Sequence, residues 1–369
     1  MIVTWGSFSR NATPMIRLSI GLVFLLALNV GRAQEVNQIS RSAPDGYPDG
    51  VREIRYLSSA DDSEQPALFW EPQGNESGKR PLLVALHTWS HDYRQAGNEV
   101  PYAEWCQKAG WIFIHPNFRG SNRRPEAMGS ELVVADILSA VEYARSEADV
   151  DESRIYCIGV SGGGHASLLM AGRAPELWAG VSAWCGISDI AAWHQQCDGT
   201  AQQRYANNIE AALGGKPDTA ARLAEASRRS PNNWLAKAGG VALDINHGVH
   251  DGRTGSVPFS HSLHAWNEVV TPNHSESAIP DESIKDFYQS QQSFEPAPAH
   301  DPLYPKEQQP VFRRIAGTTR VTIFEGGHEI LQEAALNWLA AQQKGKPVAW
   351  QADQVHSLEV KAADRESGK

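Results

Sequence analysis

The sequence predicts an α/β protein with a mostly parallel sheet. Short apolar runs of strand length alternate with helical patterns from residue 52 onward. With 369 residues, 41% hydrophobic and 21% charged, the chain has an ordinary globular composition and enough length for one large domain with insertions. Alternation of this kind calls for helices on both faces of the sheet. Eight strands are expected, at 52–57, 67–71, 81–87, 111–115, 154–160, 178–185, 241–246 and 319–324, the first two looking antiparallel. Leu132, Val133, Ile137, Leu138, Val141 and Tyr143 recur at helical spacing, and Ala334, Leu336 and Leu339 mark the last helix.

Two segments break the alternation. Residues 188–240 carry mostly helical patterns, and 263–310 form a polar, proline-containing stretch with Ile284, Phe287 and Tyr288 on one helix. Insertions of this length usually decorate the face that holds a site. The catalytic domain is expected over 35–343, with these as helical insertions over the site. The charged tail, 344–369, is expected to be weakly ordered.

Residues 1–34 read as an export signal: Arg10 and Arg17 precede the apolar run 18–30, and Gly31 and Ala33 follow it. That run is shorter than the roughly 20 residues a membrane span needs. A secreted or periplasmic mature protein starting near Gln34 is expected, with no membrane association. Met15 is an alternative start, and an uncleaved anchor the alternative fate. The net charge of −10 argues against nucleic acid as a partner. Cys106, Cys157, Cys185 and Cys197 form no C-x-x-C pair, so neither a zinc ribbon nor a thioredoxin-type motif is expected. Export would permit a disulfide, and Cys185 with Cys197 is the closest pair.

Chemistry concentrates at Gly159-Val-Ser161-Gly-Gly-Gly-His165, where an apolar strand runs into glycines and then a helix-forming stretch. This is the context of a nucleophile elbow, in which a serine takes a strained backbone between strand and helix. A phosphate-cradling loop is the bland alternative, but G-x-x-x-x-G-K and G-x-G-x-x-G are absent. A serine hydroxyl needs a base and an orienting acid, expected in the order Ser, acid, His on loops after later strands. Asp251 follows the strand at 241–246, with Asp244 its competitor inside that strand, and His328 follows the strand at 319–324 behind two glycines. An oxyanion hole would use the backbone N–H of Gly162 and a second from the loop after the third strand, where Trp89 is the candidate. His247, His250, His261 and His264 with Asp251 could be offered as zinc ligands, but their spacing is weak, and neither metal nor cofactor is expected. Gly164 and His165 are expected to serve helix packing, with His165 not the base.

Taken together these residues resemble the catalytic domain of the prolyl oligopeptidase family, within the α/β-hydrolases. Asn117-Phe-Arg-Gly-Ser121 is similar to that family's N-x-R-G-S, and 150–155 to its entry into the elbow strand. Ser230-Pro231, His247-Gly-Val-His-Asp251, Val257-Pro258 and Gly327-His328 resemble its S-P, H-G-x-x-D, V-P and G-H. The likeness spans roughly 80–340 and implies Ser161, Asp251 and His328 as nucleophile, acid and base. Three departures stand out: His87-Thr88 replaces H-G, the stretch between Asp251 and Val257 is three residues longer, and the segment before His328 is long. No propeller domain fits outside the likeness, so the size filter of strict oligopeptidases is expected to be missing.

The resemblance implies a serine-type peptidase acting through an acyl-enzyme on a small peptide. The same triad cleaves esters, and compact relatives of this likeness often resemble carbohydrate esterases of the acetyl or feruloyl type. Trp184, Trp193, Trp234 and Trp266 could stack a sugar, although packing is the plainer role for them. A catalytically silent binding module is the remaining alternative.

Overall fold

The computed structural model describes residues 41–73 and 78–351. The export signal expected at 1–34 lies outside the described residues. Among the described residues one mixed sheet carries ten strands: β1 (Arg41–Ser42), β2 (Arg52–Leu57), β3 (Glu64–Trp70), β4 (Arg80–Leu86), β5 (Ile112–Pro116), β6 (Val150–Val160), β7 (Gly180–Trp184), β8 (Leu243–Gly248), β9 (Pro310–Ala316) and β10 (Thr319–Phe324). Their order is β1-β2-β3-β5-β4-β6-β7-β8-β10-β9. The block from β5 to β10 is parallel, and β1, β2, β3 and β9 pair antiparallel at its edges.

The expected count of eight is thus corrected to ten. β1 is only two residues long. β9 is hidden in the sequence because Arg313 and Arg314 interrupt its alternation and a proline opens it. Pro310 stands opposite Phe324 at a register irregularity, on the sheet edge, where a residue without an N–H costs no ladder bond.

Successive residues of the central strands face opposite layers, as the pleat requires. Leu82, Val84 and Leu86 pack with α2 (Glu131–Glu147), α3 (Gly162–Arg173), α7 (Ser260–Val270) and α8 (Asp281–Ser290). Leu83 and Ala85 pack with α1 (Glu99–Ala109) and α9 (Gln332–Ala340). Ser130 caps α2 by accepting from Val133 N–H, and Gly110 ends α1 in the left-handed conformation glycine favours.

The first insertion folds as α4 (Ile190–Cys197), α5 (Gln203–Leu213) and α6 (Ala220–Arg229) around a separate small core of Ile190, Trp193, Tyr205 and Ile209, which also takes in Trp89. In the second, Leu263, Trp266, Ile284 and Phe287 join the main core, and Tyr288 O accepts at 2.8 Å from Nη2 of Arg253, on the loop after β8. The start of the tail is ordered. Trp350 stacks on Trp338 with ring centres 6.2 Å apart, and its carbonyl accepts from Arg320 Nη1 at 3.1 Å, so residues as far as 351 are anchored.

Candidate active site

The parallel strands all point their C-terminal ends at one edge of the sheet, the edge where ligands of open α/β sheets bind. Ser161 leaves β6 there with φ 60° and ψ −119°, a conformation sterically costly for a residue with a Cβ. Its N–H donates to Trp184 O at 2.9 Å, tying the elbow to the end of β7.

The elbow is possible only because its neighbours lack side chains. A Cβ on Gly159 would lie 2.4 Å from the Gly163 carbonyl, one on Gly163 2.1 Å from Leu86 O, and one on Gly164 2.3 Å from Trp184 O. On Gly162 it would meet Trp89 N at 2.3 Å, so the Gly162 and Trp89 backbones lie side by side. Among the described residues neither N–H donates to another backbone carbonyl. The Trp89 loop is held firmly: Trp89 O accepts from Asn122 N–H (2.9 Å), and Gln95 Oε1 accepts from both the N–H (3.0 Å) and the hydroxyl (2.9 Å) of Thr88. His87, the departure from H-G, is fully buried, stacks on Phe118 at 3.8 Å and sets its ring nitrogens against Thr88 O and Asn117 O.

Asp251 is fully buried on the loop after β8. Its Oδ1 accepts from Gly252 N–H (2.8 Å) and Val257 N–H (3.1 Å). Its Oδ2 takes His328 Nδ1 at 2.6 Å and His247 Nε2 at 2.8 Å. Burial pushes this carboxyl up, but the hydrogen bonds from the two imidazoles outweigh it and hold Asp251 well below the usual carboxylate range. Asp244, the competing acid, is committed elsewhere: it accepts from Arg320 Nε at 2.7 Å and Asn246 Nδ2 at 2.8 Å.

His328 and Ser161 converge on the end of β7, because Cys185 Sγ lies 3.3 Å from Glu329 O and 3.8 Å from Gly327 O. Among the described residues, however, His328 Nε2 faces Ser256 Oγ at 3.5 Å and is not hydrogen-bonded to Ser161. Ser256 belongs to the lengthened loop after Asp251, and its carbonyl accepts from Trp193 Nε1 at 2.9 Å. The Trp193 ring meets Trp89 edge to face at 4.7 Å, so one cap residue touches both loops flanking the elbow.

The other histidines do not converge as a metal cluster would require. His250 pairs with Glu325 at the surface, His261 Nε2 lies 2.9 Å from Gln196 Oε1, and His264 sits 3.9 Å from Asp281. Donor atoms of Cys185, His247 and Asp251 do lie within 4.8 Å of one another. Burial holds the Cys185 thiol protonated, and both nitrogens of His247 are engaged, so this set is shaped for hydrogen bonding rather than for a cation. His165 is buried with Nδ1 on Ile187 O at 2.9 Å, and burial lowers its pKa to about 4. All four cysteines are free, which corrects the Cys185–Cys197 pairing: they lie in different clusters, Cys185 in one with Phe324 and Cys197 in the cap. Trp184, Trp193 and Trp266 are fully buried, and Trp234 has Arg173 and Lys237 over its ring, so these rings pack rather than await a sugar.

Residues 101–275 match the model described as the prolyl oligopeptidase family. That match covers less than half of the chain and marks a similarity to that family. The match includes Ser161 and Asp251 and stops short of His328. Among curated proteins, acetylxylan esterase A of Emericella nidulans is 24% identical over 126 residues, covering 32% of this chain and 41% of that protein. Feruloyl esterase B of Thermothelomyces thermophilus is 27% identical over 117 residues, covering 29% and 40%. The chain thus spans about two-fifths of the length of these relatives. A puromycin-hydrolyzing peptidase of Mycobacterium tuberculosis shares the fold with TM-score 0.50 and 16% identity, over 79% of this chain and 39% of that one. The chain has the α/β-hydrolase fold.

Sequence reasoning missed three residues around the site: His247 as a partner of Asp251, Ser256 at His328, and Trp193 as the clamp. Only His247 left a trace, as the first residue of H-G-x-x-D.

Proposed function

We propose that this domain hydrolyses carboxylic esters on a carbohydrate or other biopolymer by acyl-enzyme chemistry, with Ser161 as nucleophile, His328 as base and Asp251 as the orienting acid. The observations that carry the chemistry are Asp251 Oδ2 2.6 Å from His328 Nδ1 and a serine at positive φ on a strand-to-helix turn. Asp251 accepts the Nδ1–H, which leaves the His328 Nε2 lone pair free to take the serine proton. The contact from Nε2 to Ser256 belongs to the resting site; catalytic hydrogen bonds are often loose until substrate seats, and the imidazole then turns to Ser161. The N–H groups of Gly162 and Trp89 would receive the charge that develops on the substrate oxygen. Hydrolysis of the acyl-enzyme repeats the proton transfers with water, and the donors present need no metal or cofactor.

The ester assignment is supported by the acetylxylan and feruloyl esterases among the curated relatives. The family match supports a second substrate class, small peptides, because the same triad cleaves amides. A fluorophosphonate probe should label the protein and fail on Ser161→Ala; labelling of that variant would end the nucleophile assignment. Acetylated and feruloylated sugars assayed beside proline-containing peptide amides separate the two classes, and turnover of the amides alone would reverse the preference. Arg10, Arg17 and the apolar run 18–30 support export, while among the described residues no helix is long and apolar enough to cross a membrane. N-terminal sequencing of the mature protein tests that part.

A further inference from the structure

His247 is as completely buried as Asp251 and shares the carboxylate oxygen that faces His328. Its Nε2 lies 2.8 Å from Asp251 Oδ2 and 3.0 Å from Val257 O, and its Nδ1 lies 2.8 Å from Ser262 Oγ on α7. The first two partners can only accept, so the ring proton sits on Nε2, and Nδ1 accepts the Ser262 hydroxyl proton. One neutral tautomer therefore satisfies every contact of the ring. The carboxylate in turn has four donors, two imidazoles on Oδ2 and two backbone N–H groups on Oδ1, which leave it one orientation.

We propose that His247 is a positioning residue of the hydrolase: a second imidazole donor that fixes the Asp251 carboxylate toward His328 and divides its charge between two rings. This rests on Asp251 being the triad acid. The titratable groups facing His247 are Asp251 from the loop after its own strand β8, His328 from the loop after β10, Cys185 from the end of β7 and His261 from α7. Burial keeps the last two uncharged in the working range, the Cys185 thiol pushed up and His261 lowered to about 3. Asp251 stays ionised, so the pH profile of the reaction reports the arrangement.

Taking away the His247 donor concentrates the negative charge on the His328 side of Asp251. That stabilises the imidazolium, and a base that holds its proton more tightly works only at higher pH. The experiment is hydrolysis of p-nitrophenyl acetate as a function of pH by the full chain and four variants. His247→Leu, which fills the space without a donor, should lower kcat/KM by about 10- to 100-fold, the range typical of lost ligand-orienting partners, and move the ascending limb of the profile upward. His247→Gln, whose amide N–H can reach the Nε2 position, should restore most of the rate and return the limb. Equal behaviour of these two variants, or an unmoved limb, overturns the proposal. Ser262→Ala keeps the ring but frees its tautomer and should move the limb the same way by less; it decides the matter if His247→Leu fails to fold, an unmoved limb again overturning the proposal. Asp251→Asn separates the two levels of inference. If it retains wild-type activity the acid assignment itself fails, whereas its collapse beside an unmoved limb in His247→Leu defeats the positioning role alone.

Discussion

Replacing Asp251 by asparagine changes one atom and should nearly abolish catalysis. The carboxylate accepts four hydrogen bonds, from Gly252 N–H and Val257 N–H on one oxygen and from His328 and His247 on the other. An amide offers one oxygen and one NH2. The backbone N–H groups cannot change character, so the amide oxygen must face them and the NH2 must face the imidazoles. His328 Nδ1 then becomes an acceptor, and its proton moves to Nε2. In that tautomer the nitrogen meant for Ser161 already carries a proton and cannot take another. A wrong-tautomer triad of this kind loses about 10⁴ in kcat, which is about 5.5 kcal/mol of transition-state stabilisation. Steady-state hydrolysis of p-nitrophenyl acetate measures it, with circular dichroism to establish folding. A folded variant within tenfold of wild type would refute the hydrogen-bond argument. The same carboxylate has a stability signature. Its folded pKa is depressed below the unfolded value, so its contribution is present above about pH 4 and is lost as pH falls further. The asparagine variant should lack that acid-dependent part in urea titrations at pH 3 and pH 7.

Two further perturbations test what supports the site. Arg119 is nearly buried and holds Asp136 through Nε (2.8 Å) and Nη2 (3.0 Å), while also pairing with Asp61; Arg119→Leu leaves Asp136 without its cation and should cost about 3–5 kcal/mol in urea unfolding. Burial already raises the Asp136 carboxyl, and losing Arg119 raises it further, so the deficit should shrink at pH 5 relative to pH 8; a pH-independent loss would contradict this. Gly163→Ala places a methyl 2.1 Å from Leu86 O, a backbone atom that cannot swing aside, so the variant should lose roughly 1–3 kcal/mol and its fluorophosphonate labelling. Full labelling of that variant would show that the elbow does not depend on the close approach.

The features legible in the sequence were local ones. The elbow announces itself because strand, glycines and helix are consecutive, and Asp251 and His328 were placed by the loops that follow β8 and β10. Order along the chain does not show which side chains share a buried space. His247 could be read as a loop residue or a ligand because Ser262, which sets its tautomer, arrives from a separate helix. Trp193 and Trp89 stand far apart in sequence and meet only when the cap folds, so aromatic content alone suggested sugar stacking. β9 escaped because its side chains answer to an edge, where arginines and a proline are tolerated, rather than to a two-sided core.

The cap has a consequence for durability. Trp193 clamps the loop bearing Ser256 and the loop bearing Trp89, yet it rests in a small core of its own, apart from the two layers that hold the sheet together. Small peripheral clusters open at lower free energy than a central sheet. Heat should therefore silence the enzyme through release of α4 to α6 while the ten-stranded sheet is still intact, so that the temperature of inactivation falls below that of melting. Substitutions that prolong working life at high temperature belong at the seam between the cap and Trp89, where an extra contact lengthens service without touching the groups that do the chemistry.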